Sequence, residues 1–152
     1  MKKKNVKLLL GAITLSTLFV TVPVGADTLD LGDDAPTSGS ITLDDNDQIV
    51  ESSSSYFLNS AEPSEKSDSV TPFRAINYAN SRWVYYSNRH IGKGTKTGNS
   101  NYYHQKKRHG SYAAVGSKKS GWKKANAKKY SYAKATGPKK STFVAKYDAP
   151  YR

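Results

Sequence analysis

The chain has 152 residues, a length that suits one domain, and no cysteine, which excludes disulfides and thiolate metal sites. Its formal net charge of +12 is unevenly spread: residues 1–26 hold four Lys and no acid, residues 27–73 eleven Asp/Glu against one Lys, and residues 74–152 nineteen Lys/Arg against one acid, Asp148. An asymmetry of this size speaks to partners rather than to fold.

Taken in chain order, MKKKNVK is a positive n-region, followed by an uncharged run to Ala26 whose densest apolar part is LLLGAITLSTLFV. Pro23 breaks the run ahead of Val24-Gly25-Ala26, where small residues sit at the positions a signal peptidase reads. This predicts a signal peptide over 1–26, cleaved between Ala26 and Asp27, and a secreted, extracellular protein. The competing reading, a retained membrane anchor, is disfavoured by the Thr/Ser content and by the cleavage site.

Residues 27–72 are Ser- and Asp-rich and poor in apolar side chains, which predicts a disordered acidic spacer. Two short patches, Gln48–Glu51 and Tyr56–Leu58, are candidates for transient strands. The stretch reads either as a solubilising linker or as a pro-segment that masks the basic residues after it, an effect that salt would weaken.

Composition changes at Pro72-Phe73, where the basic Tyr-rich module 73–152 begins. From Phe73 onward there is no Leu or Met, and aromatic residues replace the missing aliphatics. Apolar periods of 3.6 are absent and alternation is present. Phe143, Ala145 and Tyr147 fall on one face of a strand, and Tyr130, Tyr132 and Lys134 oppose Ser131, Ala133 and Ala135. Trp83–Ser87, Asn101–His104 and Tyr112–Val115 are further strand candidates. Turns are expected at Gly92-Lys93-Gly94, Gly116-Ser117 and Thr136-Gly137-Pro138, while the stretch from Ala125 to Tyr132 suits a short helix or a strand. The expected fold class is all-β: a small antiparallel β-sandwich preceded by the signal peptide and the disordered acidic segment.

The module is poorly equipped for catalysis, and no enzymatic activity or cofactor is expected. It has one carboxylate, no Cys, and no Ser in a nucleophile-elbow context. His90, His104 and His109 lack accompanying carboxylates and sit amid positive charge, so no metal site is expected. What remains is recognition of a polyanion. The stretch Ser100–Tyr112, SNYYHQKKRHGSY, concentrates the candidates. Lys106, Lys107 and Arg108 supply charge, with Arg108 able to grip phosphate bidentately, and Tyr102, Tyr103, His104 and His109 flank them. Trp83, Trp122, Phe143 and Tyr147 read as structural core, and Tyr102 and Tyr103 stand between core and binding roles. The stretch reads as two strands, about Asn101–His104 and His109–Val115, joined by a turn at Gln105–Arg108 that the histidines brace. Export argues against nucleic acid as the physiological partner, and leaves the envelope of nearby bacteria as the abundant polyanion.

Residues 82–147 resemble the lactococcin 972 family of secreted, unmodified bacteriocins. The resemblance runs through Ser100-Asn101-Tyr102-Tyr103-His104, the basic residues leading to His109 and Ser111, Gly121-Trp122, Ala133-Lys134-Ala135, and the aromatic strand around Phe143 and Tyr147, with Trp83 as an early Trp. It implies a small β-sandwich, secretion by the general pathway, and antimicrobial action on related bacteria through binding the cell-wall precursor lipid II, without a pore. It also implies an immunity protein as a further partner, and contact with membrane only through the signal peptide or the target surface. Two features depart from the family pattern: Asn80-Ser81-Arg82 replaces the usual Gly-rich opening, and the acidic spacer separates signal from module. The alternative is a cationic surface-adhesion protein that binds wall polymer.

Overall fold

The computed structural model describes residues 26–55, 57 and 73–151. Residues 1–25 of the signal read over 1–26 lie outside these residues, as do Tyr56 and residues 58–72 of the acidic stretch. Among the described residues eleven strands form two packed sheets: β1 (Ala26–Asp30), β2 (Ser38–Leu43), β3 (Ile49–Ser52), β4 (Phe73–Tyr78), β5 (Ser81–His90), β6 (Thr95–His104), β7 (His109–Val115), β8 (Lys118–Lys119), β9 (Lys123–Ala125), β10 (Tyr130–Pro138) and β11 (Phe143–Asp148). Sheet A has the order β1-β4-β5-β6-β10, and sheet B the order β3-β2-β11-β7-β8 with β9 also paired to β7. All pairings are antiparallel except β1 with β4. The fold is the small all-β sandwich expected.

Alternation decides which side chains meet between the sheets. Along β10 every second residue is buried, so Ser131, Ala133 and Ala135 face inward while Tyr130, Tyr132 and Lys134 face out. Phe143, Ala145 and Tyr147 of β11 likewise share the inner face. Trp83 lies fully buried in the core, edge-on to Phe57 (5.8 Å) and Tyr147 (4.8 Å), and its Nε1 donates to Ser100 Oγ at 3.0 Å. Tyr102 stacks on Tyr147 with ring centroids 4.3 Å apart. Such large rings fill a core without Leu from the module only if their neighbours are small. Ala113, Ala133 and Ala145 meet that need, and the Phe143 ring occupies the space a Cβ at Gly98 would take.

Five expected strands are present, mostly longer than their apolar patterns indicated. Pairing extends a strand through polar residues such as Asn88 and Arg89, whose backbone bonds are made whatever their side chains do. The helix-or-strand ambiguity of Ala125–Tyr132 resolves as the end of β9, a turn with Lys128 at φ 65°, and the start of β10. The turn expected at Thr136-Gly137-Pro138 falls instead at Lys139-Lys140, closed by the Ser141 amide donating to the Pro138 carbonyl, because Thr136–Pro138 complete the pairing of β10 with β6.

The largest correction concerns the acidic stretch. Residues 38–52, read as disordered spacer, form β2 and β3, and β2 pairs along the whole of β11. The patch at Gln48–Glu51 overlaps β3, which pairs with β2, while Tyr56 and Leu58 of the second patch lie outside the described residues. Ile41, Leu43 and Phe57 are 1% exposed and belong to the core. Disorder follows from low apolar content when a segment must bury its own apolar surface. Here the module supplies the missing surface, an open edge at β11 and the face over Trp83.

Charge reinforces that docking. Asp47, in the β2–β3 turn, accepts from Ser87 Oγ (2.6 Å), pairs with Arg89 (3.2 Å) and lies 3.8 Å from Lys96 Nζ. Lys96 is fully buried, donates to the Asp44 carbonyl at 3.0 Å, and has its pKa lowered, chiefly by burial. Arg74 Nη1 donates to the Asp47 carbonyl at 2.9 Å.

Candidate ligand-binding surface

The link between β6 and β7 carries the chain from sheet A to sheet B, and Gln105–Arg108 make that passage at one end of the sandwich. His104 ends one strand and His109 begins the next, both buried, with ring centroids 6.4 Å apart. His104 Nδ1 accepts from the Lys106 and Lys107 amides at 3.1 and 3.2 Å, and His109 Nδ1 donates to the Lys107 carbonyl at 2.9 Å. The imidazoles therefore hold the turn backbone in place, and the side chains of Lys106, Lys107 and Arg108 are left exposed. Bracing by the histidines was legible in the sequence.

This arrangement corrects part of the candidate target-binding set. His104 and His109 are 2% and 0% exposed and cannot touch a large ligand; they position the turn. Tyr102 is buried between Tyr147 and His109, where burial pushes its phenol up to about 12. Tyr103, its neighbour on the opposite face of β6, is half-buried and packs against Tyr130 at 5.3 Å. Adjacent residues of a strand point to opposite faces, so a Tyr-Tyr pair divides between core and surface.

Burial lowers the His104 pKa, and the nearby Lys107, His109 and Lys106 charges act in the same direction. A neutral ring is also what accepting two amide protons requires. Because the unfolded chain binds the proton more readily, stability conferred by His104 is complete above the ordinary His value of about 6.5 and is lost as pH falls through the lower folded value. The urea midpoint of the full chain is expected to fall between about pH 7.5 and pH 5, with a flatter profile for His104→Asn. Identical slopes in the two proteins would show that His104 does not govern this dependence.

On the sheet A side of the turn lies a cleft of about 460 Å³ whose lining includes Asn80, Ser81, Arg82, Tyr103, Gln105 and Tyr130. The register sets Arg82, Tyr103 and Tyr130 side by side across β5, β6 and β10, with Tyr132 stacked along from Tyr130 at 5.7 Å. Arg82 and Tyr130 were not among the sequence candidates. Alternation placed Tyr130 and Tyr132 on one face, but only strand register brings them beside Arg82.

On the sheet B side lies Trp122, which is 37% exposed. This corrects its assignment to the core, which holds for Trp83, Phe143 and Tyr147. Trp122 precedes β9, a strand of three residues at the sheet's margin, and packs on the outer face against Tyr112 and Tyr151. Nothing in its local sequence separates inner from outer face.

Among the described residues, no three His, Cys, Asp or Glu side chains converge to hold a metal. The chemistry available at the end of the sandwich is that of exposed cations beside aromatic faces, suited to holding an anion and a flat or ring-shaped group next to it. The fold and this surface define the chain as a small all-β sandwich with a cationic, aromatic end. No family model, curated protein or solved structure matches it.

Proposed function

We propose that this is a secreted antibacterial protein, a bacteriocin, that binds an anionic cell-envelope component such as lipid II and inhibits wall synthesis of related bacteria. The observation that carries the reading is the turn at Lys106–Arg108: three adjacent cations, all exposed, on a backbone held by two buried imidazoles. A rigid base keeps the entropy cost of presenting those charges low, so more of their attraction appears as affinity. The neighbouring cleft adds Arg82 and two tyrosine rings. A pyrophosphate-linked sugar offers phosphate oxygens for the cations and C–H faces for exposed aromatic rings beside the turn. The action is binding without turnover, at the outer surface of the target cell.

The test replaces Lys106, Lys107 and Arg108 together by Ala in the full secreted chain. Affinity for lipid II is expected to fall roughly a hundredfold, the loss of about 3 kcal/mol of charge-assisted hydrogen bonding. The salt dependence of binding is expected to weaken, while the urea midpoint stays unchanged, since none of the three side chains is buried. Growth inhibition of dividing relatives falls with affinity, and added lipid II relieves inhibition by the parent protein. Unchanged lipid II affinity in the triple variant, or no inhibition of any related strain by the parent, rejects the proposal.

A further inference from the structure

Trp122 is an indole on the outer face of a sheet, and its surroundings are specific. Tyr112 and Tyr151 flank it with ring centroids at 5.7 and 5.3 Å, inclined by 45° and 43°. Lys124 Nζ stands 4.5 Å over the Tyr151 ring, and Lys146 Nζ 5.9 Å from the Tyr112 ring centre. The rings approach the sheet closely because Gly110 lies beneath them. A Cβ at Gly110 would come within 3.0 Å of Tyr151 Cδ2 and 3.3 Å of Trp122 Cε3. A cleft of about 350 Å³ opens beside the platform, lined by the Trp122 ring, Lys146, Asp148 and the hydroxyl-bearing Ser38, Ser40 and Ser53.

Two features choose the occupant. Exposed Lys124 and Lys146 stand beside the rings, whereas protein–protein interface cores are depleted of Lys. Aromatic faces, lysine ammoniums and hydroxyls together match a sugar ring carrying an anionic substituent: the apolar face of the ring lies on the indole and the ammonium groups meet the charge. The platform also abuts the cationic turn, since the Tyr151 amide donates to the Arg108 carbonyl at 3.0 Å.

We infer that Trp122, Tyr151 and Lys124 form the saccharide-reading half of the ligand site, taking a pyranose ring that carries phosphate from the bacterial envelope. The inference rests on the anion-binding role of the Lys106–Arg108 turn and extends it. The turn holds the phosphate, and the outer face of sheet B, rather than Tyr102, reads the sugar.

The experiment titrates the full chain with N-acetylglucosamine 1-phosphate, with inorganic phosphate and with N-acetylglucosamine, following tryptophan emission and calorimetric heat in parallel. Trp83 is fully buried, so a ligand-dependent change in emission or in acrylamide quenching reports Trp122. The sugar phosphate is expected to shift Trp122 emission and shield it from quencher, whereas inorganic phosphate binds without that shift. Tyr151→Ala combined with Lys124→Ala is expected to weaken the sugar phosphate about tenfold and inorganic phosphate much less, since the turn holds most of the charge. Tyr151→Phe, which keeps the ring, retains the parent affinity. Sugar phosphate that binds no tighter than phosphate and leaves Trp122 silent overturns this inference while the turn keeps its role. Equal sugar-phosphate affinity in the double variant overturns it too. Absence of calorimetric binding by phosphate and sugar phosphate alike at low salt overturns the turn's role, and this inference with it.

Discussion

A chain that begins at Phe73 is expected to lose the cooperative fold of the longer chain. The deletion removes β2, and with it one of the two strands that flank β11 from Phe143 to Asp148, leaving only the pairing with β7. It also removes Ile41, Leu43 and Phe57, three nearly fully buried side chains. At about 1.5–3 kcal/mol for each buried side chain, the loss is roughly 5–9 kcal/mol, comparable with the whole stability of a typical domain. Lys96 is meanwhile left in the interior without Asp47. Near-ultraviolet circular dichroism and urea titration of residues 73–152 against residues 27–152 provide the comparison. Coincident midpoints and spectra would show that the basic module folds alone and that the acidic stretch acts only as a tether or mask. The expected collapse makes that stretch part of the folded unit, so a product with the sandwich fold retains it.

Asp47→Ala is expected to cost about 3–5 kcal/mol, because it leaves the buried Lys96 ammonium without its carboxylate partner. The Arg89 contact contributes little of this, since its side chain is 37% exposed and screened by water. Lys96→Met is expected to lie within about 1 kcal/mol of the parent or to stabilise it. The methionine fills similar volume without an ion to desolvate, and Asp47 keeps Ser87 and Arg89. In the double variant most of the Asp47→Ala loss is expected to disappear, a coupling that urea midpoints of the four proteins measure directly. Additive midpoints would show that the pair does not interact. Asp47 also occupies the left-handed region at φ 64°, where Asp and Asn are tolerated better than Ala. Asp47→Asn therefore separates the charge from the backbone contribution.

Local pattern reached as far as the alternating strands and the turn between His104 and His109. Phe143, Ala145 and Tyr147 had to share a face in any sheet, and so did Ser131, Ala133 and Ala135. The flanking histidines could brace a charged turn with no knowledge of what lay beyond it. Residues 38–52 were not legible in the same way, because Ile41 and Leu43 are too few to indicate order by themselves. Their burial depends on β11 and Trp83, about a hundred and about forty residues further along the chain. The places of Tyr102, open between core and binding, and of Trp122, expected in the core, were hidden for a related reason: residue type made both amphipathic, and only register and sheet order assigned the first to the core and the second to the surface.

By itself, then, the sequence determined the all-β class, the inner and outer faces of its clearest strands, the division of charge, and the site of the cationic turn. Each of these depends on residues within a few positions of one another. Tertiary structure decided that an acidic stretch completes a basic module, that Asp47 neutralises Lys96, and that the turn stands between an Arg82–Tyr103–Tyr130 cleft and a Trp122–Tyr151 platform. Those outcomes depend on which strand lies beside which, and that choice is made by the core as a whole, where burial of Ile41, Leu43 and Phe57 against the module's rings outweighs the local preference of the segment for water.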